Sequence, residues 1–313
     1  MSRLIIQRLL ALLPLMFLVS VLSFSFTSML PSDPVDLILG EEGSMEQREQ
    51  MREQLGLNDF VVTRYVNWLG SALQGDLGTS FFNSVKVSEA VTQRLPVTLS
   101  LTIVSALISI IVGIPAGIAA ALNPGSLIDR LATVGATLGQ AIPNFWFGIL
   151  LAAGFAVTLR WFPATGFTPI NVSPWEWLRS ITLPAVALGL STSAALARQV
   201  RSAMVGVLQM DYVRAARAQG LSSRRVIIRH ALKNALIPVV SVLSFQITIL
   251  LGGALIIEQV FAINGLGSLA ITAVRQQDIP MIQGIVLVMV GFVENGGAKV
   301  GHGSGGIIRP RAE

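Results

Sequence analysis

Five apolar runs, near residues 9–30, 97–121, 132–158, 181–198 and 236–257, are each long enough to cross a bilayer, and a sixth starts at Pro280. A helix rises about 1.5 Å per residue, so about 20 residues cover the roughly 30 Å of hydrocarbon. Lipid offers no partner to a backbone amide, so such runs close their hydrogen bonds within themselves as helices. Composition agrees: 52% of residues are apolar and 12% charged, against about 25% charged in a soluble chain. The expectation is an all-α integral membrane protein with about six transmembrane helices.

The first run, residues 1–30 with its flank, begins with Arg3 and Arg8 and is followed by Pro31, Asp33 and Pro34 instead of a small-residue cleavage site. It reads as a retained helix. Lys and Arg in short loops set orientation. Arg3, Arg8 and Arg130 fall on one side with Arg198, Arg201, Arg214, Arg217, Arg224, Arg225, Arg229 and Lys233, against Arg160, Arg179 and Arg275 on the other. The amino terminus and the 199–235 loop are therefore expected in the cytoplasm. The net charge of +5 is then a topology signal and no footprint of nucleic acid.

Residues 31–96 lie on the far side and carry ten acidic residues against five basic ones. Met45–Leu55 has helical spacing, Leu57-Asn58-Asp59 breaks it, and Val61–Leu73 is a second amphipathic piece ended by Gly75. A small folded external cap is expected.

Chemistry is sparse. There is no cysteine, which excludes disulfides, thiolate metal sites and thiol nucleophiles, and His230 and His302 are too far apart in sequence to pair as ligands. No Ser/His/Asp set, H-E-x-x-H pair or paired carboxylates occur in the runs, so no catalytic residue and no metal ligand is assigned. The glycine-rich stretch Gly296–Gly306 lacks the G-x-x-x-x-G-K-[ST] pattern, so any nucleotide must be bound by another chain. The predicted runs hold no acidic residue before Glu258, at a helix end, which disfavours a stand-alone ion-coupled transporter. Gln140, Asn144 and Gln246 are the polar candidates for a translocation path, the plainer reading being interhelical hydrogen bonds. Gly113, Pro115 and Gly117 in one run and Pro143 in the next suggest two broken helices.

The segment from Asp211 to Pro238 reads as a helix, a stop at Gly220 and a second helix capped near Ser222. Ala215, Ala216 and Ala218 would admit a partner closely, while Val226, Ile227 and the stem of Arg225 would form an apolar and basic knob. The plainer reading is a basic hairpin resting on lipid headgroups.

Arg214-Ala215-Ala216 followed by Gly220-Leu221, and Arg229-His230-Ala231-Leu232 leading to Pro238, resemble the cytoplasmic coupling loop of ABC-importer permeases, in the oligopeptide/dipeptide subfamily, which also includes nickel and glutathione importers. Arg stands where the wider family's E-A-A motif has Glu. Five further stretches agree in order: Leu30-Pro31-Ser32-Asp33-Pro34; Leu55-Gly56-Leu57 with Gly75-Asp76-Leu77-Gly78; Gly139–Trp146; Glu258-Gln259-Val260-Phe261; and Gly265-Leu266-Gly267. The long segment after helix one is similar to that of the first-type membrane subunit.

The resemblance implies a type I permease bundle in a bacterial or archaeal cytoplasmic membrane, with residues 97–293 as a five-helix core. It implies a subunit that moves di- or oligopeptides without a nucleotide site of its own. Its partners would be a homologous second permease, two ATPase subunits holding ATP and Mg, and an extracytoplasmic binding protein met by residues 31–96. The ATPase contact would be made by Arg214, Ala215, Ala216, Arg217, Gly220, Leu221 and Arg224. At the carboxyl end the family's last helix continues, whereas residues 294–313 are polar and glycine-rich, although Arg309-Pro310-Arg311 resembles the family's ending. A local change of reading frame is expected to account for that departure.

Overall fold

The computed structural model describes residues 2–28, 33–40 and 43–305. The first three residues of the Leu30–Pro34 stretch, and Arg309-Pro310-Arg311, lie outside the described residues. Secondary structure within them is helical, with one isolated antiparallel bridge between Thr79 and Lys86. By contact density the chain divides into one unit of residues 1–96 and 264–294, and a second that includes 97–263. The boundary before Asn264 divides the expected 97–293 core.

The first unit opens with α1 (Ser2–Ser28). The short α2 (Pro34–Leu39) follows, started by Asp33, whose carboxylate accepts from the Val35 amide at 2.9 Å, and by Pro34, whose fixed φ suits a first turn. Ser44 and Gln47 close a reciprocal capping box on α3 (Met45–Gln54), and α4 spans Val61–Leu73 before a turn at Gly75 with φ +88°. The two helices expected between residues 31 and 96 thus fall where the spacing places them. The unit also holds residues 87–96 of α5 (Val87–Leu122), with α12 (Leu266–Gln276) and residues 279–294 of α13 (Ile279–Gly305). The α13 backbone runs past Val293, where its apolar run ends, because a helical backbone does not require an apolar side chain at every position.

Asp278 starts α13. Its carboxylate accepts from the Ser80 hydroxyl and the Phe81 amide, and also from the Met281 amide, leaving the residue buried. Burial pushes its pKa above the ordinary 3.8, against the opposing pull of those hydrogen bonds. The folded carboxyl keeps its proton to higher pH than an unfolded aspartate does. Its contribution to stability is therefore full below the ordinary carboxylate value and is lost as pH rises through the raised folded value. Asp278→Asn keeps an acceptor for the cap and removes the titration. The variant is expected to show a flatter dependence of melting temperature on pH across that window, read by thermal melts in detergent; an unchanged profile would refute the assignment.

Among the described residues, three helices are long and apolar enough to cross a membrane: α5, α8 (Pro174–Leu208) and the helical run Ser223–Val260. A bent pair, α6 (Leu127–Ala141) with Asn144–Thr158, makes a fourth, and Leu13–Phe26 and Ile279–Phe292 are shorter apolar helical stretches. The expected span over 132–158 is broken, as Pro143 suggested. It breaks at Ile142–Pro143 into α6 and α7 (Asn144–Leu151), bent by 98°, with α7 extended by a π-helical turn over Ala152–Thr158. Proline lacks the amide and forces the preceding residue out of the α region, and Ile142 sits at ψ 122°.

The expected break at Gly113, Pro115 and Gly117 does not occur, since α5 runs through all three. These glycines face α8. A Cβ at Gly113 would stand 2.8 Å from the Ser193 carbonyl oxygen, and one at Gly117 would stand 2.5 Å from that of Ala197. From α8, Gly189 answers with a Cβ position 2.7 Å from the Ser105 carbonyl oxygen. Four-residue spacing places Ser105, Ser109, Gly113 and Gly117 on one stripe of α5 and Gly189, Ser193 and Ala197 on the facing stripe of α8. Such small residues let two helices approach closely where no hydrophobic effect drives them together. Around this seam Ile181, Leu183, Leu188, Leu250, Ile257 and Phe261 form the buried core.

Candidate functional site: the basic hairpin and the helix-break cavity

The segment after α8 forms a hairpin. α9 (Asp211–Ala218) ends in a turn at Gly220 with φ +79°, where the Gly220 amide donates to Arg217 O at 3.0 Å and the Leu221 amide to Ala216 O at 3.4 Å. A left-handed residue at this position suits glycine. α10 (Ser223–Arg225) passes through a π-helical turn, Val226–Ala231, into α11 (Leu232–Val260). Ser222 precedes α10 as expected, but its hydroxyl caps nothing; the Val226 amide donates to its backbone carbonyl.

One face of the hairpin is locked inward. Val213 and Ala216 of α9, with Val226, Ala231 and Ala235, pack among Leu196, Val200, Met204 and Val207 of α8. The π-helical turn places Val226 and Ala231, five residues apart, on the same side. Val226 is therefore no part of a projecting knob: it is fully buried, and Ile228 is the exposed apolar residue of this turn. Asn234 Nδ2 donates to the Tyr212 hydroxyl at 2.8 Å and ties the two helices together.

The outward face carries Arg214, Ala215, Arg217, Gly220 and Arg224, all exposed, while Leu221 is half-buried against the core. Arg225, Arg229 and Lys233 extend the basic surface. Arg214 reaches Asp211 at 3.6 Å, but both side chains are largely in solvent, where such a pair contributes little. Of the residues assigned to the ATPase contact, Ala216 alone points wholly into its own chain. A basic, knuckle-shaped surface with an open glycine turn has no group to activate a substrate. It can dock, through cations and close backbone approach, onto a partner with acidic or carbonyl-rich contours.

Two arginine contacts join α8, the helix that leads into this hairpin, to α6, and sequence reading assigned neither. Arg201 of α8 makes a bidentate pair with Asp129 of α6, Nη2 to Oδ2 at 2.8 Å and Nε to Oδ1 at 2.5 Å, and the Gly125 amide donates to Oδ2 at 2.9 Å. The Arg198 guanidinium donates to Gln140 Oε1. Gln140 is thus an exposed brace between α6 and α8. A carboxylate in the first turn of α6, otherwise unusual in so apolar a chain, was the available signal.

The bend at Pro143 opens a cavity of about 350 Å³ between α5, α6, α7 and α8. Asn144 and Ser191 are among its few polar residues, and Gly113, Ala132, Ala187 and Leu190 are typical of the rest. Of the three translocation-path candidates Asn144 lines this cavity, and Gln140 and Gln246 do not. Gln246 is buried in α11 with its Oε1 unpartnered. Glu258, in the last turn of α11, is fully buried and accepts from the Thr98 hydroxyl at 2.5 Å. No group of three or more metal-ligating side chains occurs among the described residues.

The pattern described as "binding-protein-dependent transport system inner membrane component" matches residues 113–293, and that of its amino-terminal part matches residues 1–102. A Brucella abortus protein with the name of a peptide transport system permease is 42% identical over 293 residues, covering 94% of this chain and 93% of its own. The oligopeptide transport system permease AppB of Bacillus subtilis is 39% identical over 93% of this chain and 95% of its own. The glutathione transport system permease GsiC of Escherichia coli is 40% identical over 91% and 90%. Among solved structures, an inward-facing MetNI methionine ABC transporter superposes with a TM-score of 0.55 at 16% identity, over 70% of this chain and 97% of that one; it speaks to the fold alone. The chain belongs to the family of binding-protein-dependent transport system inner membrane components, and is a multi-pass, all-α ABC-importer permease.

Proposed function

We propose that this chain is one of two membrane-spanning subunits of an ATP-driven importer of short peptides. The observation that carries the reading is the hairpin, with one face buried in its own core and the other offering Arg214, Ala215, Arg217, Gly220 and Arg224 to a partner. ATP and Mg reside on two separate ATPase subunits, which dock here. A homologous permease completes the bundle, and an external binding protein delivers the peptide. The amino terminus and residues 199–235 face the cytoplasm of a bacterial or archaeal cell, on the distribution of Lys and Arg among the short loops. Closure of the ATPases moves the hairpin as a rigid element and rocks the helices between inward- and outward-facing states.

Two relatives are named for peptides and one for glutathione, itself a tripeptide, so short peptides are the substrate chemistry common to them. Choice among peptides rests largely with the binding protein. A tagged copy pulled from native membranes in mild detergent is expected to bring down a second permease and an ATPase, identified by mass spectrometry. Recovery of this chain alone, active in transport, would overturn the reading.

A further inference from the structure

The α4 helix meets α1 at Phe17, Ser20 and Phe24, in the carboxyl-terminal half of α1. The Tyr65 hydroxyl lies 2.8 Å from Ser20 Oγ, within the apolar helical segment Leu13–Phe26. The Tyr65 ring stands edge-on to Phe24 with centroids 5.3 Å apart and to Phe17 at 6.3 Å, and Trp68 lies 6.4 Å from Phe24. Arg64 stacks its guanidinium 5.8 Å above the Phe24 ring. One face of α4, carrying Arg64, Tyr65 and Trp68, is thus taken up by α1.

A second apolar face has no partner among the described residues. Val62, Val66, Leu69 and Leu73 recur at the spacing that lines one side of a helix. Val62, Val66 and Leu73 are exposed, as is Phe60 just before the helix, and Leu69 is half-buried. Thr63, Asn67 and Ser71 occupy the remaining polar arc. On α1, Leu18, Leu22 and Phe26 are exposed apolar side chains as well.

We infer that α4 is an interfacial helix. It lies in the lipid leaflet reached by the carboxyl-terminal half of α1, with Val62, Val66 and Leu73 against acyl chains. Three observations favour lipid over a protein partner. The contact with α1 lies within the apolar helical stretch Leu13–Phe26; the free face is apolar without a charged residue; and the helix carries Tyr, Trp and a single Arg, the residues that anchor at a membrane interface. By contrast, α3 (Met45–Gln54) has no buried residue and is polar at every position but Met45 and Met51; it stays in water. The external segment is then a helix held in the membrane surface with a polar part above it, and only the latter is free to meet a binding protein.

The absence of native cysteine makes the test direct. Single cysteines at Val62, Val66 and Gln50 of the full chain, reconstituted in phospholipid vesicles, are spin-labelled. Their collision rates with oxygen, which concentrates in lipid, and with a water-soluble nickel chelate are then compared. Positions 62 and 66 are expected to favour oxygen severalfold over the chelate, and position 50 the reverse. Chelate access at 62 and 66 equal to that at 50 would overturn the inference. So would protection from both reagents, because the face would then be covered by protein. Neither result depends on whether the chain transports peptides.

Discussion

Gly117→Leu is expected to be among the most damaging single substitutions outside the hairpin, with little folded protein recovered and a melting temperature well below that of the parent. A Cβ at this position meets the Ala197 carbonyl oxygen at 2.5 Å, Val200 Cβ at 2.7 Å and Val200 Cγ1 at 2.9 Å. Two of those atoms are fixed to the α8 backbone, so no rotamer change relieves the clash and the helices must separate. Overpacking costs typically about 1–3 kcal/mol, and a seam that opens along its length belongs at the upper end. In a chain of this size about 3 kcal/mol corresponds to a fall of roughly 5 °C. Gly135→Ala and Gly252→Ala are the controls, since a Cβ there meets nothing within 4 Å; both are expected to be neutral or to stabilise by up to about 1 kcal/mol through better helix propensity. Thermal melts of all three in one detergent decide the matter. A Gly117→Leu variant that melts with the parent would mean that α5 and α8 do not approach as described.

The same residues show where sequence reading fails. Gly113-Ile114-Pro115-Ala116-Gly117 reads as a weak point because glycine and proline both loosen helices. Yet a glycine has the same letter whether it frees the backbone or makes room for a neighbour, and only α8, about 75 residues later in the chain, decides between the two. Pro143 was legible as a break because its effect is local, through its own missing amide and the restricted Ile142. The 98° bend depends on where α6 and α7 pack and was not legible. Helix existence was plain from the apolar runs, since lipid permits little else.

In the hairpin, the turn at Gly220 and the start at Asp211 followed from local chemistry. The inward direction of Val226 did not, because the π-helical turn changes the period on which face assignments rest. Asp129 and Arg201 lie 72 residues apart, and a topology count had already claimed the arginine. The Asp278-Ile279-Pro280 start of α13 is a local capping pattern that was available and passed over, although its partner Ser80, 198 residues away, was not.

Ala215→Trp is expected to reduce uptake to background while leaving membrane abundance and melting temperature unchanged. Ala215 is exposed on the outward face of α9, so an indole there displaces nothing within the chain. The adjoining positions are poorer probes. Any side chain at Gly220 is strained by its φ of +79°, and Ala216→Trp would force a ring into the core beside Val213 and Val226, so both confuse docking with folding. If α9 seats in a groove on an ATPase, the bulk of the indole must widen the contact at its centre. Central interface positions carry about 2 kcal/mol or more each, about thirty-fold in affinity. The ATPases should then co-purify poorly and hydrolyse ATP without regard to peptide. Charge reversal at Arg217 and Arg224 is expected to weaken the same association in a manner that low salt exaggerates, because the two guanidinium groups are exposed and screened. Normal uptake by Ala215→Trp in a melt-competent protein would show that the force of ATP closure enters elsewhere, and the basic hairpin would then be better read as resting on lipid headgroups.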